Sequence, residues 1–577
     1  MTHLEIREKF INFFKEKGHV LVPSSSLLPT DPSVLFTTAG VQQFKPYYLG
    51  QADPLKDFGS KNVISIQKSL RTVDIEEVGD NSHITFFEML GYFSFGEYFK
   101  KETIEWTYEF LTKVLAFDRE RIKPTVFAGD DRAPFDKESF DVWQSLGFDK
   151  EEIGLGNRHD NFWGPVGNEG PCGPANEIYI DGIEIGTLVF NEYFCDQDKK
   201  LTPLKQNGVD VGLGFERIAI FSQKVSSIYE TDLFIPLMVE IRGGNLYDFE
   251  KNLSSERIIA DHLRSSIFLI ADGVRPSNVG QGYILRRLLR RAIRHAKLLN
   301  QPEDLYERIL HVLEHDIYAW TYPELKIKQK EILEVIVAEK EKFTKTLERG
   351  LREFSKLTSI SGRQAFDLYT TYGFPVELIE EMAKEKGLDI DLAGFEQEIE
   401  THKEKSRAGA EKKFGGHGLL LDTGELKAAT EEEVKIVTRL HTATHLLHAS
   451  LRKILGEGVK QAGSDITAER LRFDFTFPRK LTEEEIKKVE DLVNEVIAQD
   501  LKVSKEEMPY EEAVKTGALR FFKQKYPEIV NVYSVGNFSK ELCGGPHVSH
   551  TAEIGHFKII KEEAVAAGVR RIRAVVQ

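Results

Sequence analysis

The stretch from Asn207 to Phe221 has a hydrophobic pattern that predicts a strand followed directly by a helix. Between residues 209 and 214, apolar residues alternate with aspartate or glycine, which is the period of a half-buried strand, and helical apolar spacing follows from residue 215. The glycines leave room for a ligand, and Arg217 lies in the first predicted helical turn, where backbone amides favour anions. The junction therefore suits a bound phosphate. The alternative is a close-packed junction with a solvated Arg217.

The hydrophobic pattern elsewhere predicts an α+β multidomain protein. Residues 1–235 contain short apolar runs among glycines, prolines and aromatic residues without regular βαβ alternation, which predicts a largely antiparallel sheet flanked by helices. Long amphipathic patterns from 236 to 405 predict a helical domain. A charged, glycine-rich linker is expected at 406–433. Residues 434–577 mix helical and strand patterns and are expected to form a compact α+β domain.

Composition is typical of a soluble globular protein with several domains. The chain has 577 residues, of which 41% are hydrophobic and 29% charged. No apolar run reaches the ~20 residues that cross a bilayer, and the first residues do not resemble a signal peptide, so a cytoplasmic location is expected. The net charge of −15 argues against nonspecific coating of nucleic acid but leaves room for a local basic groove.

Two short motifs near the end of the chain predict a metal site. "HTATHLLH" places His441 and His445 four residues apart on one helical face, and "CGGPH" supplies Cys543 and His547. Three imidazoles and a thiolate suit zinc best. The alternative is a pair of helix-surface histidines, and His448 could substitute on the same face. The other cysteines, Cys172 and Cys195, do not form a disulfide framework, and Cys172 is expected to be structural.

A second candidate feature is a helix with a cationic side. "ILRRLLRRAIRHAKLL" is expected to carry six cations on one side: Arg286, Arg287, Arg290, Arg291, Arg294 and Lys297. Such a face is usually solvated, but here it follows the polar loop "RPSNVGQGY", which favours a contact with a phosphate backbone. Trp163, in a Gly/Pro-rich loop, is either a core residue or a wall for a small ligand. Arg71 alone would be taken for a surface arginine.

Several of these stretches together resemble the successive motifs of the alanyl-tRNA synthetases, a family of class II aminoacyl-tRNA synthetases. The resemblance covers nearly the whole chain in order. It rests on "PSSSLLPTDPSVLFTTAGVQQFKPYYLG", "HITFFEMLGYFSFGEYFK", "DNFWGPVGNEGPCGP", "VDVGLGFERIA", "PSNVGQGYILRRLLRRA", "LYTTYGFPVEL", "HTATHLLHASL" and "CGGPHVSHTAEIGHFKI".

The resemblance implies ATP- and Mg²⁺-dependent activation of alanine, followed by its transfer to the 3′ end of tRNA(Ala). The attacking carboxylate is already an anion, so catalysis would come from positioning and charge stabilisation. By resemblance, Arg71 binds the α-phosphate, Phe87 stacks on adenine and Arg217 contacts the nucleotide. The same resemblance assigns the amino-acid pocket: Asp210 for the α-ammonium, with Gly212 close by, Trp163 and Val189 around the methyl group, and Thr187 where the family usually has asparagine.

The resemblance also implies an editing site. A pocket sized for a methyl group discriminates poorly against glycine and serine, so a second, hydrolytic site is expected in the same chain. His441, His445, Cys543 and His547 would hold zinc for hydrolysis of seryl- or glycyl-tRNA, with Gln461 in the pocket. A purely structural zinc is the alternative.

For tRNA recognition, the family reads a G·U wobble pair with an asparagine and an acidic residue. By resemblance these are Asn278 and Glu377, although the family usually has aspartate at the second position. Arg286 and Arg290 are the expected contacts to the tRNA backbone.

The chain also departs from the family pattern. The loop between Arg71 and His83 is short and lacks the usual Gly-Gly-Lys-His run, and Asn168, Ala175 and Asn176 differ from the usual residues. The family's β-barrel segment and C-terminal domain are missing from the pattern, so a minimal, monomeric form is expected. Two other functions remain open, a deacylase with an inactive synthetase module and a noncatalytic tRNA-binding protein. The joint presence of both arginines and Asp210 favours the active synthetase.

Overall fold

The chain divides into two compact units, Met1–Glu396 and Gln397–Gln577. The computed structural model describes residues 1–29, 33–165, 167–243, 249–413, 420–421, 424–427, 431–477, 479–519, 529–566 and 569–577. The finer boundaries predicted at 235, 405 and 433 stay predictions. Among the described residues, no helix combines the length and the apolar character that spanning a membrane requires.

The first unit is built on a mixed, mainly antiparallel sheet. Its described strands are β1 (Val20–Leu21), β2 (Asn62–Leu70), β3 (Phe86–Ser94), β4 (Ile122–Phe127), β5 (Gly154–Gly156), β6 (Phe162–Trp163), β7 (Gly170–Ile180), β8 (Ile183–Cys195) and β9 (Leu201–Gly214). The strand order is β1-β2-β3-β9-β8-β7-β4-β5, with β6 paired to β7. The outer pairs β1/β2 and β4/β5 are parallel, and the central strands are antiparallel, which confirms the predicted sheet.

Helices flank this sheet and then continue as a helical region. The flanking helices are α1 (His3–Glu16), α2 (Lys45–Tyr48), α3 (Pro54–Phe58), α4 (Lys100–Glu109), α5 (Lys137–Ser145), α6 (Arg158–Asn161), α7 (Phe215–Gln223) and α8 (Ile235–Arg242). The helical region contains α9 (Phe249–Ala271), α10 (Gly280–Leu298), α11 (Leu305–Val312), α12 (Glu324–Ile327), α13 (Gln329–Ser355), α14 (Gly362–Thr371), α15 (Val376–Lys386) and α16 (Leu392–Lys413).

Local sequence explains how α1 begins and how it packs. Thr2 and Glu5 form a capping box, so two otherwise unpaired backbone amides of the first turn are hydrogen-bonded. Phe10 and Phe14 recur at helical spacing and are fully buried. The Phe14 ring stacks on Tyr92 of β3 with 4.2 Å between ring centroids. This contact fixes α1 against a central strand of the sheet.

The arginines of α10 are largely buried in ion pairs, which corrects the predicted open cationic face. Burial of a charge requires a partner, and helices α13 and α15 supply carboxylates. The pairs are Arg287 with Glu76 and Glu377, Arg290 with Glu339, Arg291 with Glu381, and Arg294 with Glu385. Lys297 is exposed and pairs with Glu348 at 2.9 Å.

Two residues predicted to contact the tRNA backbone lie within this paired set. Arg290 is only 6% exposed, and its guanidinium donates to Glu339 Oε1 at 2.7 Å and to the Gly373 carbonyl. The Arg290 guanidinium is therefore engaged by protein partners, and its contact with the tRNA backbone stays a prediction. Arg286 is partly buried, donates to Asn278 Oδ1, and lies 3.3 Å from Glu339.

The Arg290–Glu339 pair should be important for stability. Glu339→Ala leaves a buried guanidinium without its carboxylate, a change that typically costs about 3–5 kcal/mol. We expect calorimetry to show a lower midpoint for the unfolding transition of the first unit. Glu348→Ala is the matched control, because it removes the partner of an exposed lysine and should cost at most about 1 kcal/mol. Equal midpoints for the two variants would contradict this role of Glu339.

Arg291 connects α10 to the loop between β2 and β3. Its guanidinium donates to the carbonyl oxygen atoms of Ile75 at 2.7 Å and Val78 at 3.2 Å, in addition to its pair with Glu381. Arg257 of α9 donates to the Gly79 carbonyl at 3.2 Å. The backbone of this short loop is therefore held by two helices of the helical region.

The second unit is an α+β structure, as predicted. Its elements are β10 (Leu420–Leu421), β11 (Gly424–Lys427), α17 (Glu431–Leu455), β12 (Gln461–Thr467), β13 (Arg470–Thr476), α18 (Glu483–Ala498), β14 (Val503–Pro509), α19 (Tyr510–Lys515), β15 (Ile529–Val535), β16 (Ser539–Leu542), β17 (Phe557–Ala566) and β18 (Val569–Val576). One sheet has the order β10-β11-β12-β13-β18-β17, and the other has the order β14-β15-β16. Apolar residues of α17, α18 and the larger sheet form the core of the unit.

The segment predicted as a linker, 406–433, contains part of this sheet. β11 pairs in parallel with β12, with Leu426 opposite Ile466. Residues 414–419, 422–423 and 428–430 of the predicted linker lie outside the described residues. The glycine-rich and charged composition of this segment therefore predicted a linker but did not predict the strands within it.

Candidate active site and metal centre

One cavity of the first unit brings together residues from the central strands and from the start of α7. Arg71 follows the end of β2, Phe87 lies on β3, and Arg217 lies in the first turn of α7. The cavity also contains all the predicted amino-acid pocket residues: Trp163, Thr187, Val189, Asp210 and Gly212. Residues far apart in the sequence meet here because β9 pairs with β3 on one side and with β8 on the other.

Asp210 is a buried carboxylate that lines this cavity. It lies opposite Val189 in the β8/β9 ladder and opposite Phe93 in the β3/β9 ladder. The side chain is 5% exposed, and burial raises its pKa to about 7. Among the described residues, its carboxylate has no hydrogen-bond or ion-pair partner. A buried carboxylate of this kind is suited to a cationic ligand, which would supply the missing partner.

Gly212, two residues after Asp210, lies close to the side chain of Met89. A Cβ atom at Gly212 would lie 2.5 Å from the sulfur of Met89 on β3. Gly212 also faces Thr187 across the β8/β9 pair, so the floor of the cavity has no side chain at this position. The alternation of glycine and apolar residues in β9 thus produces both the core face of the sheet and the open floor of the cavity.

The two arginines of the cavity are held by different neighbours. The Arg71 guanidinium lies 5.1 Å from the centroid of the Phe87 ring. Arg217 donates to the Glu184 carbonyl at 2.7 Å and to Glu184 Oε2 at 3.0 Å. The side chains of Arg217 and Glu184 are both partly exposed. Replacing this ion pair by a contact between Arg217 and a ligand anion would therefore cost little free energy.

Glu184 is the main cavity residue that sequence reasoning missed. It also accepts a long hydrogen bond from Thr187 Oγ1 at 3.4 Å. β8 also contains Thr187, Asn191 and Glu192, so the position of Glu184 in the strand gave no clear signal, and its partner Arg217 is 33 residues further along the chain. Asp74, Glu216 and Met89 also line the cavity without having been predicted.

Trp163 and Cys172 lie close to each other but differ in accessibility. Trp163 is half-buried on β6, pairs in register with Gly173 of β7, and lines the cavity. Cys172 is completely buried, and this burial raises the pKa of its thiol to about 12. The thiol therefore stays protonated near neutral pH, which is consistent with a structural role.

The four predicted metal ligands cluster in the second unit. One ligand atom from each of His441, His445, Cys543 and His547 lies within 4.8 Å of all the others. Cys543 Sγ is 3.3 Å from His441 Nε2 and 3.5 Å from His547 Nε2. Tetrahedral zinc with ordinary bond lengths places its ligand atoms roughly 3.4–3.6 Å apart. The donor set and its spacing therefore fit zinc.

The outer nitrogen atoms of these imidazoles also fit a metal site. His441 Nδ1 lies 3.0 Å from the Pro546 carbonyl, and His547 Nδ1 lies 3.2 Å from Thr442 Oγ1. His445 Nδ1 lies 3.7 Å from Glu541 Oε2. Partners at Nδ1 leave Nε2 available to an ion and fix the orientation of each ring.

His448 lies outside the cluster of four possible ligands. The alternative in which His448 replaces one of these ligands is therefore not supported. Its Nδ1 lies 2.9 Å from Glu541 Oε1, so the Glu541 carboxylate lies between His445 and His448. A Cβ at Gly545 would lie 2.2 Å from the His441 ring, so the "CGGPH" loop can pass this ring only with glycine at that position.

The structure places the remaining predicted residues as follows. Gln461 begins β12, and its Nε2 donates to Ser464 Oγ at 3.1 Å; within the described residues, no hydrogen bond joins it to the four ligands. Asn278 is exposed and accepts from Arg286, while Glu377 accepts from the Tyr283 hydroxyl at 2.7 Å. The first turns of α10 therefore hold both Asn278 and Glu377.

Comparison with known proteins matches most of the chain to two family models. The family described as tRNA synthetases class II (A) matches residues 5–453, and the threonyl and alanyl tRNA synthetase second additional domain matches residues 530–573. A pyrrolysyl tRNA synthetase structure from Desulfitobacterium hafniense is similar with a TM-score of 0.26 and 11% identity, over 40% of this chain and 71% of that chain.

Curated relatives match over the full length. An alanine–tRNA ligase of Borrelia hermsii is 46% identical over 605 residues, covering 99% of this chain and 99% of the relative. The alanine–tRNA ligase of Treponema pallidum is 43% identical over 608 residues, covering 99% of this chain and 98% of the relative. The chain therefore belongs to the alanine–tRNA ligase family of class II tRNA synthetases.

Proposed function

We propose that the first unit activates alanine with ATP and transfers it to tRNA(Ala). The observation that carries this proposal is the meeting of Arg71, Asp210 and Arg217 in one cavity. Two cations suit a nucleotide, and the buried carboxylate without a partner suits the ammonium group of an amino acid. Family membership supplies the identity of the substrates.

In this proposal the alanine carboxylate attacks the α-phosphorus of ATP, and pyrophosphate leaves. The nucleophile is already ionised, so the protein needs to position the reactants and stabilise negative charge. Arg71 and Arg217 contact the phosphates, and Phe87 stacks on adenine. When bound, Mg²⁺ would neutralise charge on the phosphates, and the cavity carboxylates Asp74 and Glu184 are oxygen ligands of the kind it uses.

The amino-acid pocket binds the ammonium group at Asp210 and encloses the methyl group with Trp163 and Val189. Thr187 offers a hydroxyl where, by the resemblance, the family usually has asparagine. A pocket for one methyl group discriminates against glycine by only about 1–3 kcal/mol and does not strongly reject the hydroxyl of serine. Mischarged tRNA is therefore an expected product of this site.

We further propose that the second unit hydrolyses mischarged seryl- or glycyl-tRNA with zinc. His441, His445, Cys543 and His547 would hold the ion, which would supply polarisation of the ester or of a water molecule. Gln461 is assigned to the same pocket by family resemblance. The Nδ1 atoms of His441 and His547 have hydrogen-bond partners that fix the orientation of both rings. This supports a site whose ligand geometry is kept between turnovers.

Recognition of the G·U pair is assigned to Asn278 and Glu377. The structure supports this assignment by placing both residues around the first turns of α10, where Arg286 and Tyr283 orient their side chains. Glu377 is one methylene longer than the usual aspartate. Its hydrogen bond to Tyr283 fixes the position of the longer side chain.

The decisive test combines two assays and a metal count on the full chain. Alanine-dependent ATP–pyrophosphate exchange and hydrolysis of seryl-tRNA(Ala) are both expected, with about one zinc per chain. Hydrolysis without exchange would instead indicate a deacylase with an inactive synthetase module. Binding of tRNA with neither activity would indicate a noncatalytic protein. Monomeric state and cytoplasmic location stay predictions from the sequence, and light scattering checks the first.

Alanine use should depend on the ionisation of Asp210. Because the pKa of this carboxyl is raised to about 7, the form that binds an ammonium group is lost as pH falls through 7. We expect kcat/KM for alanine, measured by exchange at saturating ATP, to fall about tenfold per pH unit well below the pKa. The KM for ATP over the same range is the control. A flat alanine profile between pH 8 and 5.5 would contradict the assignment.

A further inference from the structure

A second concave surface, which we call the lysine groove, lies in the unit Gln397–Gln577. It is formed by the end of α17, the segment around β16, and loops with glycines at positive φ. Its charged or aromatic lining residues are Arg452, Lys453, Glu457, Phe538 and Lys540. These residues are distinct from the metal ligands and from Gln461.

The lysine groove has an excess of positive charge. Among the described residues, neither Lys453 nor Lys540 has a carboxylate partner. Arg452 donates to the carbonyl oxygen atoms of Glu457 at 2.7 Å and Val459 at 2.9 Å, so its charge is not neutralised. This arrangement contrasts with α10, whose buried arginines are paired with carboxylates, although the whole chain has a net charge of −15.

Lys453 is held in place without losing its charge. Its ammonium nitrogen lies 3.9 Å from the centroid of the Phe538 ring. A cation–π contact fixes the position of the ammonium and leaves its hydrogen atoms available to an anion. The site therefore suits a phosphate group.

The lysine groove lies a short distance from the metal cluster along two elements. Lys540 is three residues before Cys543, which is roughly 10 Å of extended chain. Arg452 and Lys453 follow His445 on α17 by seven and eight residues, which is roughly 10–12 Å of helix. Both routes lead from the metal ligands to the lysine groove.

We propose that the lysine groove binds phosphodiester groups of the RNA strand whose 3′-terminal ester reaches the metal cluster. The proposal rests on the deacylation function proposed above and adds a binding subsite to it. Lys453 and Lys540 contact the backbone of the last nucleotides, independently of base sequence. The free energy of phosphate binding in the lysine groove then helps to hold the 3′-terminal aminoacyl ester at the metal cluster.

The test uses the full chain with Lys453→Ala and Lys540→Ala combined. We expect kcat/KM for hydrolysis of seryl-tRNA(Ala) to fall about tenfold, mainly through KM. The slope of log kcat/KM against log salt concentration should become shallower by about 1.4, or about 0.7 for each lost phosphate contact on a single strand. Zinc content and alanine-dependent exchange should be unchanged.

Matched variants separate this role from a structural one. Lys453→Arg with Lys540→Arg keeps both charges and should restore KM and the salt slope. Lys487→Ala removes an exposed lysine of α18 and should change neither quantity. Unchanged KM and salt slope in the double alanine variant would overturn the subsite. A loss of kcat and zinc content in that variant, with KM unchanged, would also overturn it.

Direct binding decides the proposal independently of hydrolysis. A short single-stranded RNA ending in a free 3′ hydroxyl should bind the wild-type chain and bind the double alanine variant about tenfold more weakly. If wild-type protein fails to hydrolyse seryl-tRNA but shows this difference, deacylation fails while the subsite stands. If inorganic phosphate competes as well as the RNA does, a free-phosphate site replaces the RNA assignment.

Discussion

Asp210→Asn is expected to reduce alanine-dependent pyrophosphate exchange by roughly a hundredfold to several thousandfold. Asparagine keeps the shape of the side chain but leaves the substrate ammonium buried without a counter-charge. Removing one partner of a buried ion pair typically costs about 3–5 kcal/mol. The loss should appear mainly in kcat/KM for alanine, because the nucleotide contacts proposed for Arg71 and Arg217 are untouched.

Binding of ATP to the Asp210→Asn variant, measured by calorimetry without alanine, should match the wild type. Asp198→Asn is the matched control, since it makes the same chemical change on an exposed residue of the loop between β8 and β9. Alanine activation at wild-type rates by Asp210→Asn would remove Asp210 from the amino-acid site. Weakened ATP binding would indicate a general disturbance of the cavity.

Replacing a cluster residue in the second unit should separate the two proposed activities. Cys543→Ala removes the thiolate, and the zinc content is expected to fall from about one per chain to near zero. Hydrolysis of seryl-tRNA should fall by at least about a hundredfold, since loss of a ligand exceeds the 10–100-fold effect typical of outer partners. Alanine-dependent exchange should continue, because that chemistry is assigned to the first unit.

His547→Ala and His550→Ala provide a closely matched pair for the same prediction. His547 belongs to the cluster, whereas His550 is exposed three residues later. Zinc measured by atomic absorption should be lost in the first and kept in the second. Hydrolysis that persists in zinc-free Cys543→Ala protein, with native circular dichroism, would make the metal structural rather than catalytic.

The strand and helix around Asp210 could be predicted because both follow from local periodicity. The alternation from 209 to 214 indicates a strand with one buried face. The helical spacing after 215 indicates a helix with one buried face. The Glu184–Arg217 pair could not be predicted in this way. Its partners are 33 residues apart, and the fold brings the carboxylate of β8 to the first turn of α7.

The clustering of the four predicted ligands was accessible to sequence reasoning for a related reason. A helix fixes the spacing of His441 and His445, and a tight glycine loop fixes Cys543 relative to His547. The carbonyl of Pro546 and the hydroxyl of Thr442, which orient the rings, carry no sequence signal because many residues could supply such acceptors.

The cationic side of α10 was misinterpreted because amphipathicity describes one helix alone. Periodicity identifies an apolar side and a charged side, but it does not show what packs against the charged side. Glu339 and Glu381 lie on other helices, and each of them replaces water around an arginine of α10. Matching glutamates with arginines across three helices requires the tertiary fold.

The anchoring of the β2–β3 loop by Arg291 has a consequence for genetic screens. The helix that frames Asn278 and Glu377 also holds the carbonyls of Ile75 and Val78, a few residues from Arg71, which is proposed to contact the nucleotide. Libraries that diversify α10 in search of altered tRNA preference will therefore also select for changes in ATP usage. Screening such libraries at two ATP concentrations would sort the two phenotypes.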